Sequence, residues 1–236
     1  SRDLEHFEFA GRLVADGVLD GYMQLWAPDL HKFRGKYYLI VSLFRKEKRR
    51  GSMILVSDSV RGPFVPLTGE YITPQGWLCL DATLFVHDGK PYLYFSNEWV
   101  DPITADGDGS LYVAALSDDL KTLVSRPKKT VSGKYCGFSR EIRSGEATGF
   151  VAEGPYAVEE GGKIALYWST FSKDGYCVAK SVASEVFGEY AFDRMVFERD
   201  GGHAMVFTDL AGKRKIVLHQ PNSSPDERMK VFGLAP

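Results

Sequence analysis

Cysteine is scarce in this 236-residue chain. Cys79, Cys136 and Cys177 are too few and too far apart for a disulfide framework or a zinc cluster. Each sits beside apolar or aromatic residues, as a buried free thiol does. Charge of one sign is also missing: the net charge is −2, so nothing in the balance points to nucleic acid or to an anionic membrane surface. The single local excess, Arg45 to Arg50 (RKEKRR), lies between two strand-like segments and reads as a solvated hairpin loop. No run of about 18 apolar residues occurs, which argues against a membrane-spanning helix. No signal peptide is visible. A cytoplasmic location is therefore expected, or a secreted one if an N-terminal segment lies upstream of Ser1. Helical i, i+3, i+4 spacing is missing from every window of about a dozen residues. Phosphate loops, nucleophile elbows and His-x-x-x-His pairs are missing too. Asp106-Gly107-Asp108-Gly109 resembles a calcium loop, but the position that needs glutamate holds Ser117. Asn222-Ser223-Ser224 is a formal glycosylation sequon and carries little weight.

Hydrophobic residues make up 44% and aromatics 13% of the chain, enough for a sizeable core. The apolar residues are organised by repetition. Leu80 to Ser96, LDATLFVHDGKPYLYFS, reads as a hairpin: alternating strands either side of a short turn at Asp88, Gly89 and Lys90. The unit recurs as WAPDLHKFRGKYYLIVS ending at Ser42, EGPYAVEEGGKIALYWS ending at Ser169 and GHAMVFTDLAGKRKIVLH ending at His219. Each of the first three copies is followed by a further apolar strand closed by a Ser-led polar turn. Turn-to-turn intervals are 54 residues from Gly35 to Gly89, 73 to Gly162 and 50 to Gly212. The long middle interval holds Lys121 to Thr148, polar and basic, which reads as an insertion.

Short strands repeating at such intervals are the sign of a β-propeller. Ser1 to Glu8, SRDLEHFE, matches the tail of the repeat, with Ser-x-Asp-Leu closest to Ser117–Leu120. The expectation is an all-β, five-bladed propeller whose first blade is incomplete. The blade 1 remnant covers 1–20, blade 2 about 21–75, blade 3 with its insertion about 76–148, blade 4 about 149–200 and blade 5 about 201–236. An incomplete blade leaves sheet edges that a second copy could cover, so a homodimer is one expectation.

In a propeller the innermost strands line a central channel and their starts meet at one face. The repeats open on Trp26-Ala27-Pro28-Asp29, Asp81-Ala82-Thr83, Glu153-Gly154-Pro155 and Gly202-His203-Ala204. Asp81 and Glu153 each precede a turn glycine by eight positions and His203 precedes Gly212 by nine, which places all three in register. A lone carboxylate before a strand is usually a turn or cap residue; several ionisable groups in register argue for a site. Two carboxyl groups in an aromatic-lined pocket suit glycoside hydrolysis, one protonated to assist the leaving oxygen. Trp26, Trp77, Trp99 and Trp168 offer flat faces for sugar rings, although core packing explains Trp168 better.

WAPD, LDATLFVHDGKPYL, EGP with its YWS strand, and GGH, taken in order along essentially the whole chain, resemble glycoside hydrolase family 43. The resemblance implies a five-bladed propeller and inverting hydrolysis of arabinose- or xylose-containing glycans. RGSMILVSDSVRGPFVPL, GWLCLDATLF, SNEW and GGHAMVF resemble a branch acting on terminal α-L-arabinofuranosyl units. The resemblance makes Glu153 the general acid and Asp81 the carboxylate that tunes and orients it. His203 becomes the channel histidine that contacts a calcium ion or its water shell. Trp26, Asp29, Trp77, Glu98, His203 and Arg228 become residues of the sugar pocket, with Arg228 as basic partner of the acidic cluster. No cofactor is required, calcium aside, and the expected partner is carbohydrate. The family's general base, an Asp-Pro aspartate on the first blade, has no match in Asp3, Asp16 or Asp20 and would lie upstream of Ser1. The alternatives are a β-xylosidase of the same family, a carbohydrate-binding pseudoenzyme and, least favoured, a protein-interaction propeller.

Overall fold

The computed structural model describes residues 1–46 and 48–234. Glu47 of the basic run, and Ala235 and Pro236 at the end of the last expected blade, lie outside the described residues. Among the described residues the regular structure is all strand.

Four antiparallel sheets follow one another along the chain. The first contains β1 (Tyr22–Phe33), β2 (Lys36–Arg45), β3 (Lys48–Ser57) and β4 (Val65–Pro66). The second contains β5 (Cys79–His87), β6 (Lys90–Asn97), β7 (Ser110–Ala115) and β8 (Lys128–Ser132). A small hairpin, β9 (Ile142–Ser144) and β10 (Ala147–Gly149), intervenes. The third sheet contains β11 (Glu153–Glu160), β12 (Lys163–Ser172), β13 (Gly175–Ala183) and β14 (Ala191–Phe197), and the fourth β15 (Gly202–Thr208), β16 (Arg214–Gln220) and β17 (Arg228–Gly233). Each is a meander that begins on its innermost strand. β1, β5, β11 and β15 together wall one central cavity, the arrangement of propeller blades.

The hairpins close where the turn chemistry demands. Arg34-Gly35, Asp88-Gly89 and Gly161-Gly162 each supply two consecutive positive φ angles, the two-residue turn that matches strand twist. Alternation of polar and apolar residues fades between the turns, however: β5 is buried at its first seven positions. Its sheet packs on both faces. One apolar layer, including Ile40, Ile54, Leu84 and Phe95, lies between the first and second sheets. Another, including Tyr94, Val113, Leu166 and Trp168, lies between the second and third. A third, including Tyr167, Val178, Val206 and Ile216, lies between the third and fourth. On the first sheet's other face, Leu13, Val14 and Leu19 of the N-terminal segment pack beside Leu43 and Leu55.

One expectation changes. The insertion is shorter than Lys121–Thr148, because β8 is the outer strand of the second sheet; only 133–149, with its β9–β10 hairpin, stands outside the repeat. β8 was hidden because Val131 is its sole fully buried residue. Ser1–Glu8 is the turn that its likeness to the repeat's tail implied, with no strand of its own. What repeats is the turn: Leu4 and Leu120 both have positive φ, 65° and 61°. The preceding Ser1 and Ser117 hydroxyls reach Asp3 and Asp119 at 3.1 and 2.7 Å.

Candidate active site

A bulge interrupts each inner strand near its start. Registers shift between Trp26 and Asp29, Leu80 and Thr83, Glu153 and Tyr156, and Gly202 and Met205. In each bulge one residue takes a left-handed φ: Ala27 at 48°, Asp81 at 56°, Gly154 at 58° and His203 at 54°. Only glycine does so without strain; for the other residues it costs about 1–2 kcal/mol each. The bulge re-aims the side chain from the sheet face toward the channel mouth. It also corrects the expected register: Asp81 and His203 are equivalent, whereas Glu153 stands one position earlier, aligned with Trp26, Leu80 and Gly202.

Neighbouring sheets are fastened at this level by hydroxyls. Ser42 on β2 accepts the Asp81 amide at 2.7 Å, and Ser169 on β12 accepts the His203 amide at 2.8 Å. Ser96 on β6 donates to the Ala152 carbonyl at 2.6 Å, just ahead of Glu153. All three serines are fully buried. The functional side chains therefore stand at sheet boundaries, each held by the sheet before it.

Asp81 Oδ2 accepts the Gly154 amide at 3.1 Å and lies 3.8 Å from His203 Nδ1. The Tyr176 hydroxyl, from the start of β13, donates to Glu153 Oε1 at 2.7 Å. Burial pushes the Asp81 carboxyl up to about 7, opposed by the Gly154 amide. Burial, then the charge of Asp81, pushes Glu153 up to about 7 as well. Two such groups acting on each other titrate as a pair that keeps one proton near neutrality. Each carboxyl has one donor that favours its charged form, the Gly154 amide for Asp81 and the Tyr176 hydroxyl for Glu153. Burial lowers the affinity of His203 for a proton, so its imidazole is neutral there.

Beside this pair, Glu98 is half-buried and its Oε2 accepts Arg50 Nη1 at 2.6 Å. The Arg50 guanidinium lies 4.4 Å from the centre of the Trp26 ring, while the indole stays 45% exposed and so keeps surface free for a ligand. The cavity of about 380 Å³ runs along the inner strands and is lined by Asp29, Asp81, Tyr156 and His203 among others.

Residues 1–233 match the family model described as Glycosyl hydrolases family 43. The chain belongs to family 43. An extracellular exo-α-(1→5)-L-arabinofuranosidase of Streptomyces avermitilis is 30% identical over 72% of this chain and 34% of its own length. A xylosidase/arabinosidase 43A of Humicola insolens is 32% identical over 46% of this chain and 39% of its own. Among solved structures, an endo-arabinase from Bacteroides thetaiotaomicron superposes with a TM-score of 0.88 at 35% identity, covering 94% of this chain and 79% of that one. The chain spans about a third of the first curated relatives it matches.

The expected family 43 site residues separate into two groups. Asp29, Asp81 and His203 line the cavity; Glu153 and Glu98 stand beside Asp81 without lining it, and Trp26 lies against Arg50. Asp29 is buried, with His31 Nε2 2.5 Å from its Oδ2 and its Oδ1 unpartnered. Trp77 stands apart: its ring packs edge-on to Tyr112 at 5.1 Å within the layer between the first two sheets. Arg228 lines the cavity, yet its guanidinium donates to the Pro225 and Glu227 carbonyls and, among the described residues, to no carboxylate. Trp168 is core. Asp3, Asp16 and Asp20 are exposed, Asp3 in a turn with His6 and Asp16 paired to Arg12.

Sequence reasoning missed Arg50, Tyr176 and the fastening serines. The basic run is a solvated turn only in part: Arg45 and Lys46 are exposed, whereas Lys48 pairs with Glu70, Arg49 with the buried Asp101 at 2.9 Å, and Arg50 with Glu98. These three residues open β3. Calcium fits poorly as a directly ligated ion. It prefers six to eight oxygen ligands, whereas the channel offers one unpartnered Asp29 oxygen and a neutral His203. Among the described residues no group of three or more His, Cys, Asp or Glu could hold a metal.

Proposed function

We propose that this chain belongs to an inverting, exo-acting glycosidase that removes terminal α-L-arabinofuranosyl units. The observation that carries the proposal is the Asp81–Glu153 pair: two carboxyl groups at one channel mouth, both pushed up to about 7. Glu153 holds the proton and delivers it to the leaving glycosidic oxygen. Asp81, fixed by the Gly154 amide, keeps that proton in place by repulsion until the bond breaks. The exposed side of Trp26 receives the sugar ring, and His203 and Asp29 define the channel below it. The ring is taken as five-bladed, as the family resemblance implies. The water-activating base is assigned to none of the described aspartates. Likeness to the Streptomyces arabinofuranosidase supports the choice of sugar.

The test uses the full-length protein and an α-1,5-linked arabinofuranosyl disaccharide. Glu153→Gln should slow arabinose release by about 10²–10⁴-fold, the usual contribution of a general acid. The loss should be smaller on a 4-nitrophenyl arabinofuranoside, whose leaving oxygen needs no proton. Retained disaccharide hydrolysis would overturn the assignment. Likeness to the Humicola xylosidase/arabinosidase favours a second reading, β-xylosidase; relative rates on the two aryl pentosides separate them. Products longer than one sugar from linear arabinan would replace the exo-acting reading with an endo-acting one. Sugar binding without turnover would make the chain a binding module.

A further inference from the structure

Arg50 and Glu98 form an ion pair at the channel mouth to which the proposed reaction gives no role in proton transfer. Arg50 stands near the top of β3, two positions above Ser52, whose hydroxyl accepts the Ala82 amide at 3.3 Å. Glu98 follows Asn97, which pairs with Cys79, two residues before Asp81. The two side chains retain 15% and 11% exposure, so the pair is enclosed rather than solvated. Arg50 Nη2 donates to Gln24 Oε1 at 2.6 Å, and the guanidinium covers one side of the Trp26 indole. Arg50 Nε and Glu98 Oε1 are buried with no hydrogen-bond partner among the described residues. An enclosed ion pair returns little net stability, and unpartnered atoms on both members reduce it further. Stability therefore does not account for the pair.

We propose that Arg50 and Glu98 are positioning residues, the guanidinium bracing the Trp26 indole while it holds a third carboxylate against the Asp81–Glu153 pair. The purpose of this arrangement rests on the glycosidase reading; its geometry does not. The charged groups facing Glu98 are Arg50 and Arg49 from β3, Asp101 from the loop after β6, Asp81 from β5 and Glu153 from β11. The buried Cys79 thiol also feels Glu98. Arg49 is taken up by Asp101, so Arg50 is the cation that answers Glu98. With Glu98 charged, loss of the Glu153 proton sets one more negative charge beside two others, and the acid keeps its proton to higher pH. With Glu98 neutral, that push is gone.

Carboxyl-¹³C-glutamate NMR of the full chain tests this, with Glu153 assigned by its disappearance in Glu153→Gln. Glu98→Gln should lower the Glu153 titration midpoint by about a few tenths of a pH unit. Arg50→Met keeps the apolar stem but removes the cation that offsets Glu98 and favours the charged form of Asp81, so the Glu153 midpoint should stay in place or rise, opposite to Glu98→Gln. Glu70→Gln, on the exposed end of the Lys48 pair, should leave it in place. A Glu153 midpoint unchanged or raised in Glu98→Gln overturns the proposal; a fall in Arg50→Met overturns the part played by Arg50. The titration needs no turnover. Absence of glycosidase activity would overturn the functional reading and leave this measurement standing.

Discussion

Replacing Glu153 by Gln should make the protein more stable at pH 8 and leave it unchanged at pH 4. The carboxyl is pushed from its ordinary 4.5 up to about 7 because burial and Asp81 both oppose its charge. The unfolded chain has no such opposition. Between these two values the folded state therefore binds a proton that the unfolded state has released. Stability falls as pH rises through that window and stays reduced above it. At about 1.36 kcal/mol per pH unit, the rise from 4.5 to about 7 corresponds to roughly 3 kcal/mol. Glu153 is only half-buried, and solvent screening brings this to about 1–2 kcal/mol. Gln keeps the shape and an oxygen to accept the Tyr176 hydroxyl, so the hydrogen bond survives while the charge does not. Urea unfolding at the two pH values is the assay. The midpoint should rise at pH 8 with an unchanged slope, and a thermal scan should gain about 2–8 °C. Equal stabilisation at both pH values would mean that packing is responsible. A loss of stability at pH 8 would refute the electrostatic reasoning outright.

Ser42→Ala strips the acceptor from the buried Asp81 amide and should cost about 1–3 kcal/mol in urea unfolding; a cost near zero would show that water replaces the hydroxyl. Gly154→Ala places a Cβ 3.2 Å from His203 Cα and Cγ at a φ of +58°, and should lower the melting temperature with a loss of about 1–3 kcal/mol. Tyr176→Phe removes a donor that favours the charged form of Glu153. The acid then stays protonated to higher pH, and the alkaline limb of the kcat/KM profile should move up. A limb that moves down would count against the assigned hydrogen bond.

The hairpins were legible because two-residue turns need glycine or its nearest substitutes, and Gly35, Gly89 and Gly162 supplied them at regular spacing. The carboxylates were legible because the repeats opened on them. Their relative register was not, since a bulge adds a residue without any sequence mark: Leu80-Asp81 and Glu153-Gly154 occupy equivalent places yet present different members of the pair. Arg50 stayed hidden because a run of like charges reads as solvent-facing, and only the fold shows Glu98 and Asp101 waiting for Arg50 and Arg49. Tyr176 comes from a third strand, which the inner-strand logic passes over. Trp77 looked available only because a sequence does not show which face of a sheet a ring covers.

The hydroxyl fastenings give the channel mouth a mechanical character. Asp81 and Glu153 ride on different sheets, and Ser42 and Ser96 tie each to the sheet before it. Their separation is therefore a hinge dimension, set by the pitch at which one blade meets the next. Substitutions confined to an outer strand such as β8 or β14 leave that pitch alone. A single methylene gained or lost in an inter-sheet layer tilts one blade against its neighbour, and the carboxylates register the tilt as a change of span.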